Sequence, residues 1–327
     1  MVSAPLRIAV VIPCFRVRKH ILDVLAGIGP AVERIYVVDD TCPENTADLV
    51  AEKVSDPRVR VVRHEVNQGV GGAVVSGYRA AIEEDMDIVV KVDGDGQMDP
   101  KLIAPLIHLI EIGEADYVKG NRFHRISALK GMPALRLFGN AALSFLTKLS
   151  SGYWQIFDPT NGFTAIHRAA LEAIELDGLS KRYFFESDML IQLGHARAVV
   201  ADMPMRAHYG DEDSNLKISR VITEFFWRHV NAIGQRLMYQ YLLRDFTIAS
   251  ANLLVGLVFV LFGITYGAIN WRQSVVTGIV APTGVIILAT LTIILGVQML
   301  LFFLSYDISA TPRVPLQRWY RRRKADP

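Results

Sequence analysis

The stretch VVKVDGDGQMDP, from Val89 to Pro100, decides the fold. Its apolar first half is typical of a buried strand, and two carboxylates, Asp93 and Asp95, follow among glycines. Two earlier runs, IAVVIPC (Ile8 to Cys14) and IYVVD (Ile35 to Asp39), are also rich in β-branched residues and lack polar alternation. Such runs are typical of parallel strands that are covered on both faces. The sequence therefore predicts a sheet whose strand ends carry acidic side chains.

Segments of helical character separate these strands and continue the alternation along the chain. This alternation predicts an α/β domain over residues 1–215, doubly wound around a mostly parallel sheet. The further predicted helices are Glu44 to Ser55, Gly71 to Glu84, Pro100 to Ile112, Pro133 to Leu149 and Ser187 to His195. The further predicted strands are Arg58 to Arg63, Ile88 to Val92, Asp116 to Lys119, Thr164 to His167 and Val199 to Met203.

Two long uncharged stretches follow this domain, Thr247 to Ile269 and Thr283 to Tyr306. As helices, each would be roughly 35 Å long, against a hydrocarbon core of about 30 Å. We therefore expect a two-helix transmembrane hairpin over residues 246–306. Amphipathic juxtamembrane helices over 216–245 would precede it, and a basic tail over 307–327 would follow it.

Basic residues flank the hairpin on both outer sides, whereas the predicted connecting loop carries only Arg272. By the positive-inside rule, both termini and the N-terminal domain then face the cytoplasm. We expect a multi-pass protein of the cytoplasmic (inner) membrane. The flanking residues are Arg228, Arg236, Arg244, Arg313, Arg318, Arg321, Arg322, Arg323 and Lys324.

The segment from Leu216 to Asp245 repeats apolar residues at helical spacing among cations such as Arg228 and Arg236. Such a helix lies in the membrane interface with its cations towards the headgroups; packing on the soluble domain is the alternative. The basic run Arg318 to Lys324 beside a span indicates contact with anionic lipid and not with nucleic acid. With only Cys14 and Cys42 in the chain, neither a disulfide framework nor a thiolate zinc site is expected.

Asp93, Asp95 and Gln97 alternate, so an extended segment would point all three to one side. Carboxylate and amide oxygens suit Mg²⁺ or Mn²⁺, which is commonly held by one or two carboxylates together with substrate phosphates. The sequence therefore predicts a divalent metal site for a nucleoside diphosphate. Combined with the membrane hairpin, it points to a lipid substrate.

Six motifs occur in an order that resembles glycosyltransferase family 2. They are IAVVIPCF, VVDDTCPENT (Val37 to Thr46), NQGVGGA (Asn67 to Ala73), VDGDGQ (Val92 to Gln97), KGNRF (Lys119 to Phe123) and DPTNGF (Asp158 to Phe163). Over Arg7 to Tyr209 the chain resembles the polyprenyl-phosphate sugar synthase branch, including dolichyl-phosphate hexose synthases, which has a GT-A fold. The resemblance implies a nucleotide-sugar donor, UDP- or GDP-hexose, and a polyprenyl-phosphate acceptor.

The resemblance also implies a donor-binding set at the strand ends. Asp39 and Asp40 would recognise the nucleotide, although a turn in which Asp40 caps the next helix is the alternative. Many family members have Lys where this chain has Val70, so a charge contact to the donor is missing there. The full donor set is Pro13, Asp39, Asp40, Asn67, Gly71 and Asp93, and the metal set is Asp93, Asp95 and Gln97.

Arg122, Arg136 and the assisting Lys130 are the cations expected to bind the acceptor phosphate, because guanidinium binds phosphate oxygens through two parallel hydrogen bonds. Asp158 would position the acceptor or the sugar, or act as a base. Glu186 in FFESD lies where hydroxyl-acceptor relatives have their base. A lipid phosphate is already anionic at neutral pH, whereas a sugar hydroxyl needs a positioned carboxylate. The catalytic set is therefore Asp95, Asp158 and Glu186, with the role of Glu186 dependent on the acceptor.

These residues predict an inverting, metal-dependent glycosyltransferase acting on a polyprenyl phosphate at the cytoplasmic membrane face. The alternative is transfer to a hydroxyl of a lipid-diphosphate-linked glycan in cell-surface polysaccharide assembly. A rival from another class is a membrane module that binds nucleotide sugars without turnover. The sugar, the choice between UDP and GDP, the choice between Mg²⁺ and Mn²⁺ and the formation of a homo-oligomer stay open.

Overall fold

The computed structural model describes residues 5–124, 134–206 and 218–320, with side chains described except at 134–136 and 218–222. The chain divides into two compact units. The first comprises residues 1–230 together with 312–327, and the second comprises residues 231–311.

Seven strands within the described residues form one sheet in the first unit, in the order β3-β2-β1-β4-β6-β5-β7. Neighbouring strands are parallel except for β6, which is antiparallel to both β4 and β5. The sheet is therefore mixed but mostly parallel, as predicted. The strands are β1 (Ile8–Cys14), β2 (Arg34–Asp39), β3 (Val59–Arg63), β4 (Ile88–Lys91), β5 (Tyr117–Asn121), β6 (Thr164–His167) and β7 (Val200–Pro204).

Helices alternate with these strands and cover the sheet on both faces. Along β1, Val10 and Ile12 belong to one buried apolar cluster and Ala9 and Val11 to the other, so both faces of the strand are excluded from water. The helices of this unit are α1 (Ile21–Gly27), α2 (Thr46–Lys53), α3 (Val70–Glu83), α4 (Ile103–Glu111), α5 (Ala134–Ser151), α6 (Arg168–Glu172) and α7 (Phe185–Ala196). A 3₁₀ turn, Pro100–Leu102, precedes α4.

The antiparallel course of β6 matters for the site. The carboxyl ends of the parallel strands lie at one edge of the sheet, which is where open α/β sheets bind ligands. Because β6 runs in the opposite direction, its first residue, Thr164, lies at that same edge. The segment before it, Asp158 to Phe163, is thereby brought to the ends of β4 and β5.

The buried face of α5 is polar. Ser144, Thr147 and Ser150 are buried, whereas Phe138 is 74% and Phe145 54% exposed. The helical spacing of the apolar residues Leu135, Phe138, Ala142, Phe145 and Leu149 favours core packing of all five, and for Phe138 and Phe145 that interpretation is wrong. Small hydroxyl side chains allow close packing and satisfy their own polar atoms through bonds such as Ser144 Oγ to the Phe157 carbonyl, 3.0 Å.

The second unit contains α9 (Ile248–Thr277) and α10 (Thr283–Ser309), both long and apolar enough to cross a membrane. Each is longer than the predicted span. Helix α9 continues past Arg272, which was expected in a loop, and ends at Gly278 in a left-handed conformation. Helix α10 includes Asp307.

Helix α8 (Ile218–Leu237) and a π-helical turn (Met238–Arg244) occupy the segment predicted to be amphipathic. Arg236, expected to face lipid headgroups, is only 2% exposed. Its guanidinium donates to both carboxylate oxygens of Asp307 at 2.9 Å each, and the Tyr241 hydroxyl donates to the same carboxylate. Burial of both charges is tolerated because they are paired and hydrogen-bonded.

The chain returns to the first unit after α10. Backbone amides of Leu316 and Gln317 donate to the buried Asp116 carboxylate at 2.9 and 3.0 Å. The Gln317 side chain donates to the carbonyls of Ile110 and Ala115. Arg318, expected to contact lipid, is exposed and donates Nε to the Gly113 carbonyl at 3.3 Å. We call residues 315–320 the C-terminal strap; the rest of the predicted basic run lies outside the described residues.

Candidate active site

The carboxyl edge of the sheet collects most of the predicted site residues. Pro13 lies near the end of β1 in register with Val38 of β2. On its other side, the pairing of β1 with β4 stops at Val11 opposite Lys91, so the missing N–H of Pro13 costs no sheet hydrogen bond. Asp39 ends β2, and Asp93 follows β4.

Asp39 and Asp40 are both buried and both organise neighbouring backbone. Asp39 accepts hydrogen bonds from the amides of Cys42 and Ala47 at 2.7 and 3.1 Å, so it, and not Asp40, caps the start of α2. Asp40 accepts from the amides of Gln68 and Gly69, both at 2.7 Å.

Asp40 has two further partners in the same segment. The imidazole Nδ1 of His64 lies 2.8 Å from its carboxylate, and Asn67 donates its side-chain amide to the Asp40 carbonyl at 2.9 Å. Asp40 therefore holds the glycine segment in place, whereas Asp39 holds the start of α2. Direct recognition of a nucleotide by either aspartate stays a prediction.

The glycines at the start of α3 allow another backbone segment of the chain, residues 180–182, to approach closely. Amides of Gly71 and Gly72 donate to the Lys181 carbonyl at 2.9 and 3.2 Å. A Cβ on Gly71 would collide with the Ser180 carbonyl oxygen and would lie 2.8 Å from the ring of Phe185. The absence of a side chain at Gly71 is thus required by residues 180–182 of the chain itself.

The predicted metal ligands lie on a turn. Strand β4 ends at Lys91, and Gly96 has φ +76°, so the extended geometry expected for residues 93–97 is wrong. Asp95 Oδ1 accepts the amide of Gln97 at 2.9 Å, which closes the turn. Among residues 5–124, 134–206 and 218–320, no three histidine, cysteine, aspartate or glutamate side chains form a metal-binding group. Two carboxylates and an amide still suit a hard cation that completes its shell with phosphate and water.

Asp93 and Glu186 are joined by a lysine. The ammonium of Lys91 lies 2.8 Å from Asp93 Oδ1 and 3.2 Å from Glu186 Oε1. Glu186 is in the first turn of α7, and its neighbour Asp188 accepts from the amide and hydroxyl of Ser180 at 2.7 and 2.8 Å. Both carboxylates of FFESD are thus hydrogen-bonded within the chain.

Arg122 is anchored by Asp158. The guanidinium donates Nε to Asp158 Oδ2 at 2.8 Å and Nη2 to Oδ1 at 3.0 Å, and the Arg122 amide also donates to Oδ2. The Asp158 side chain has no exposed surface, whereas that of Arg122 is 27% exposed. The pair therefore fixes a cation at the end of β5 while part of that cation faces outward.

Lys119 is a second buried lysine beside this pair. Its ammonium donates to the carbonyl of Asn161, and the Asn161 side chain donates to the Gly120 carbonyl at 2.8 Å. Burial lowers the pKa of Lys119 to about 8, although the carboxylates of Asp158 and Glu186 act to raise it. Its contacts tie the segment before β6 to β5.

Some predicted residues are not located. Lys130 lies outside the described residues. Arg136 lies in α5, but its side chain is also outside the described part of the chain.

Lys91 and Lys119 are not among the site residues predicted from the sequence. Their position within apolar strands does indicate buried, paired lysines, because a lysine is rarely buried unless it is paired. The motifs KVDGDG and VKGN carry that signal.

The family model for glycosyl transferase family 2 matches residues 9–175. The chain therefore belongs to glycosyltransferase family 2, and it is a glycosyltransferase. Its mixed seven-stranded α/β sheet is that of the GT-A fold.

The chain is 31% identical over 216 residues to a UDP-N-acetylglucosamine–dolichyl-phosphate N-acetylglucosaminyltransferase of Methanococcus voltae, covering 62% of this chain and 86% of that protein. It is 28% identical to an undecaprenyl-phosphate mannosyltransferase of Micrococcus luteus, covering 61% and 83%. Its fold is similar to that of glucosyl-3-phosphoglycerate synthase from Mycobacterium tuberculosis, crystallised with Mn²⁺, UDP and phosphoglyceric acid. The TM-score is 0.55 and the identity 19%, covering 70% of this chain and 78% of that one.

Proposed function

We propose that the protein transfers a hexose or N-acetylhexosamine from a nucleotide sugar to a polyprenyl phosphate. The observation that carries this proposal is the Arg122–Asp158 pair. A buried carboxylate holds the guanidinium of a partly exposed arginine side chain at the carboxyl edge of the sheet. Guanidinium binds phosphate oxygens with well-defined geometry, and its desolvation is already compensated by Asp158. The relatives that act on dolichyl and undecaprenyl phosphate support the same acceptor class.

The proposed reaction is an in-line displacement with inversion. A phosphate oxygen of the lipid forms a bond to the anomeric carbon, and the bond from that carbon to the nucleoside diphosphate breaks. The electron pair leaves with the diphosphate, and the product is a sugar-phosphoryl lipid. Arg122 would orient the phosphate. Such orientation lowers the entropic part of the activation barrier, because the two reactants are already held together.

Asp95, Asp93 and Gln97 are the residues that would hold Mg²⁺ or Mn²⁺. Their oxygen donors fit a hard cation with open positions for phosphate. When bound, the cation would neutralise charge on the departing diphosphate. The metal-bound fold neighbour supports this assignment only through its shared architecture.

A lipid acceptor also accords with the apolar surfaces of the chain. Phe138 and Phe145 on α5 are exposed, as is Phe157 near the Arg122–Asp158 pair. Helices α9 and α10 have the length and composition of membrane spans. Exposed apolar surface of this kind is typical of membrane or lipid contact.

We further propose that both ends of the hairpin lie on the cytoplasmic side of the inner membrane. The basic flanks support this orientation. The C-terminal strap supports a common side for both ends, because residues 1–230 and 312–327 belong to the same compact unit. Labelling of cysteines introduced at positions 53 and 280 tests it: intact cells should exclude a membrane-impermeant maleimide from the first position and admit it to the second.

A transfer assay tests the function. Purified protein is incubated with Mn²⁺ or Mg²⁺, undecaprenyl phosphate and a panel of radiolabelled UDP- and GDP-sugars. Label extracted as a mild-acid-labile lipid would support the proposal and identify the sugar. Free sugar without lipid product would point instead to a hydroxyl acceptor, and no metal-dependent donor turnover at all would favour a binding module.

A further inference from the structure

Lys91 is a charged residue inside the sheet. Its side chain is 1% exposed, and it ends β4 directly before the acidic turn. An ammonium in such a position is strongly disfavoured unless it is paired and hydrogen-bonded. The carboxylates of Asp93 and Glu186, at 2.8 and 3.2 Å from the ammonium, supply that pairing.

The ammonium connects segments that are distant in sequence. Asp93 lies two residues away, whereas Glu186 lies ninety-five residues away at the start of α7. The described hydrogen bond to the Asp93 carboxylate involves Oδ1 at 2.8 Å. Lys91 therefore orients that carboxylate and ties it to α7.

Gly162 shows how tightly this arrangement is packed. A Cβ at Gly162 would collide with Lys91 Nζ and would lie 2.5 Å from Asp93 Oδ2. Glycine in the NGF motif is thus required by the Lys91–Asp93 pair. Three of the motifs, KVDGDG, NGF and FFESD, meet at this one ammonium.

Resting on the proposed function, we propose that Lys91 is a positioning residue of the sugar transfer. It holds the Asp93 carboxylate in the orientation that receives the donor or its metal, and it keeps Glu186 as an ion-pair partner. With Asp188 bonded to Ser180, neither FFESD carboxylate then serves as the base. The site is accordingly built for an acceptor that brings its own anionic oxygen, as a phosphate does, and not for a hydroxyl, which needs a base.

Four variants test this inference: Lys91→Met, Glu186→Gln, the double variant Lys91→Met/Glu186→Gln, and Lys53→Met as an exposed control on α2. The measurements are the melting temperature in detergent, the affinity for UDP and GDP in the presence of Mn²⁺, and kcat and KM with undecaprenyl phosphate. Lys91→Met should weaken Mn²⁺-dependent nucleotide binding and lower kcat by about 10²-fold, the usual effect of misplacing a group at a reacting centre by about 1 Å.

The double variant separates positioning from folding. It removes the uncompensated Glu186 charge, so its melting temperature should recover relative to Lys91→Met while kcat and nucleotide affinity stay low. Recovery of kcat together with stability would assign Lys91 a purely structural role and overturn the inference. So would a Lys91→Met enzyme whose kcat and nucleotide affinity match those of Lys53→Met.

Glu186→Gln keeps an oxygen for Lys91 and needs no refolding of the site. Turnover within about tenfold of wild type supports the inference, whereas a loss of about 10³-fold or more with intact nucleotide binding identifies Glu186 as a general base and contradicts it. Nucleotide binding does not depend on the acceptor. If wild-type protein fails to make a sugar-phosphoryl lipid, the proposed function fails, while the binding data on Lys91→Met still decide whether Lys91 positions Asp93.

Discussion

Both oxygens of the buried Asp158 carboxylate accept hydrogen bonds from the guanidinium of Arg122, at 2.8 and 3.0 Å. The carboxylate has no exposed surface, so its role is to orient and neutralise this cation. The sequence had left Asp158 open as a base or a positioning residue. The contacts favour positioning, because both carboxylate oxygens are already engaged by three hydrogen bonds from one arginine.

Arg122→Met should raise KM for undecaprenyl phosphate with little change in donor affinity. It should also destabilise the protein by up to about 3 kcal/mol, because a buried carboxylate loses its partner. Arg122→Lys keeps the charge but loses the paired hydrogen bonds, so it should bind the acceptor with intermediate affinity. Arg63→Met removes an exposed ion pair and should change neither quantity measurably. Equal effects of Arg122→Met on donor and acceptor KM would contradict the assignment to the acceptor phosphate.

Asp95→Asn should abolish Mn²⁺-dependent binding of the nucleoside diphosphate and lower transfer by at least about 10²-fold, as expected when charge stabilisation at the leaving group is lost. Chelation of the metal from wild-type protein should have the same effect and should reverse on adding Mn²⁺. Asp99→Asn, in the same turn, is the control, because asparagine can still accept the Lys101 amide that Asp99 binds at 3.0 Å. Full activity in the presence of chelator would rule out metal dependence.

Gly71→Ala should destabilise the first unit by about 1–3 kcal/mol, since the added methyl collides with the Ser180 carbonyl and crowds Phe185. Donor KM should rise at the same time, because α3 and residues 180–182 separate. Gly139→Ala is the matched control: a methyl added there meets nothing within 4 Å, and alanine favours helix by about 1 kcal/mol. The melting temperatures of the two variants are measured side by side. If Gly71→Ala melted at or above the wild-type temperature, the tight packing of this segment would be disproved.

Deleting residues 312–327 should lower the melting temperature of the catalytic unit, although the deletion lies beyond the second apolar helix. The deletion removes two amide donors from the Asp116 carboxylate and exposes the carbonyls of Ile110 and Ala115 that Gln317 satisfies. Each such buried group left without a partner costs about 1–3 kcal/mol. Deleting only residues 321–327 leaves the C-terminal strap intact and is the control. Identical melting curves for the two truncations would show that the strap does not contribute to stability.

His229 should make stability depend on pH. Its Nδ1 lies 2.9 Å from the Ser150 hydroxyl, and burial lowers its pKa to about 4 from 6.5. The folded protein therefore keeps the imidazole neutral where the unfolded chain takes up a proton. Stability from this residue is complete above about pH 6.5 and is lost progressively as the pH falls towards 4.

Melting temperatures measured from about pH 4.5 to 7.5 test this dependence. His229→Gln should flatten the decline below about pH 6.5, whereas His108→Gln, at an exposed position on α4, should leave it unchanged. An unchanged slope in His229→Gln would place the pH dependence elsewhere.

Much of the sheet was predictable because its signals are local. Strand β1 was predicted with its observed bounds, and α3 and β4 to within one residue at each end, since continuous β-branched runs and helical spacing are properties of neighbouring residues. The antiparallel course of β6 was not predictable, because a four-residue apolar strand pairs equally well in either direction until its neighbours are placed.

The spans illustrate the same limit. Composition located both apolar helices, but α9 continues to Thr277, beyond Ile269, where the predicted span ends. A helix ends where its backbone can be capped, here at Gly278, and not where hydrophobicity falls. Likewise, amphipathic spacing assigned Arg236 to the exposed face, whereas a carboxylate seventy-one residues away pairs with it in the interior.

The sequence by itself predicted the candidate site residues, which are carboxylates at the ends of apolar strands and an arginine after β5, and it located two helices able to span a membrane. Residue type and periodicity suffice for that, because strand formation, burial and charge act locally. Only the tertiary structure decided which oxygen each cation binds, placing Lys91 between Asp93 and Glu186 and Arg122 on Asp158, and it brought the Lys181 carbonyl to the first amides of α3. Such pairings join segments from two to more than a hundred residues apart, and their geometry depends on how the whole sheet and its covering helices pack.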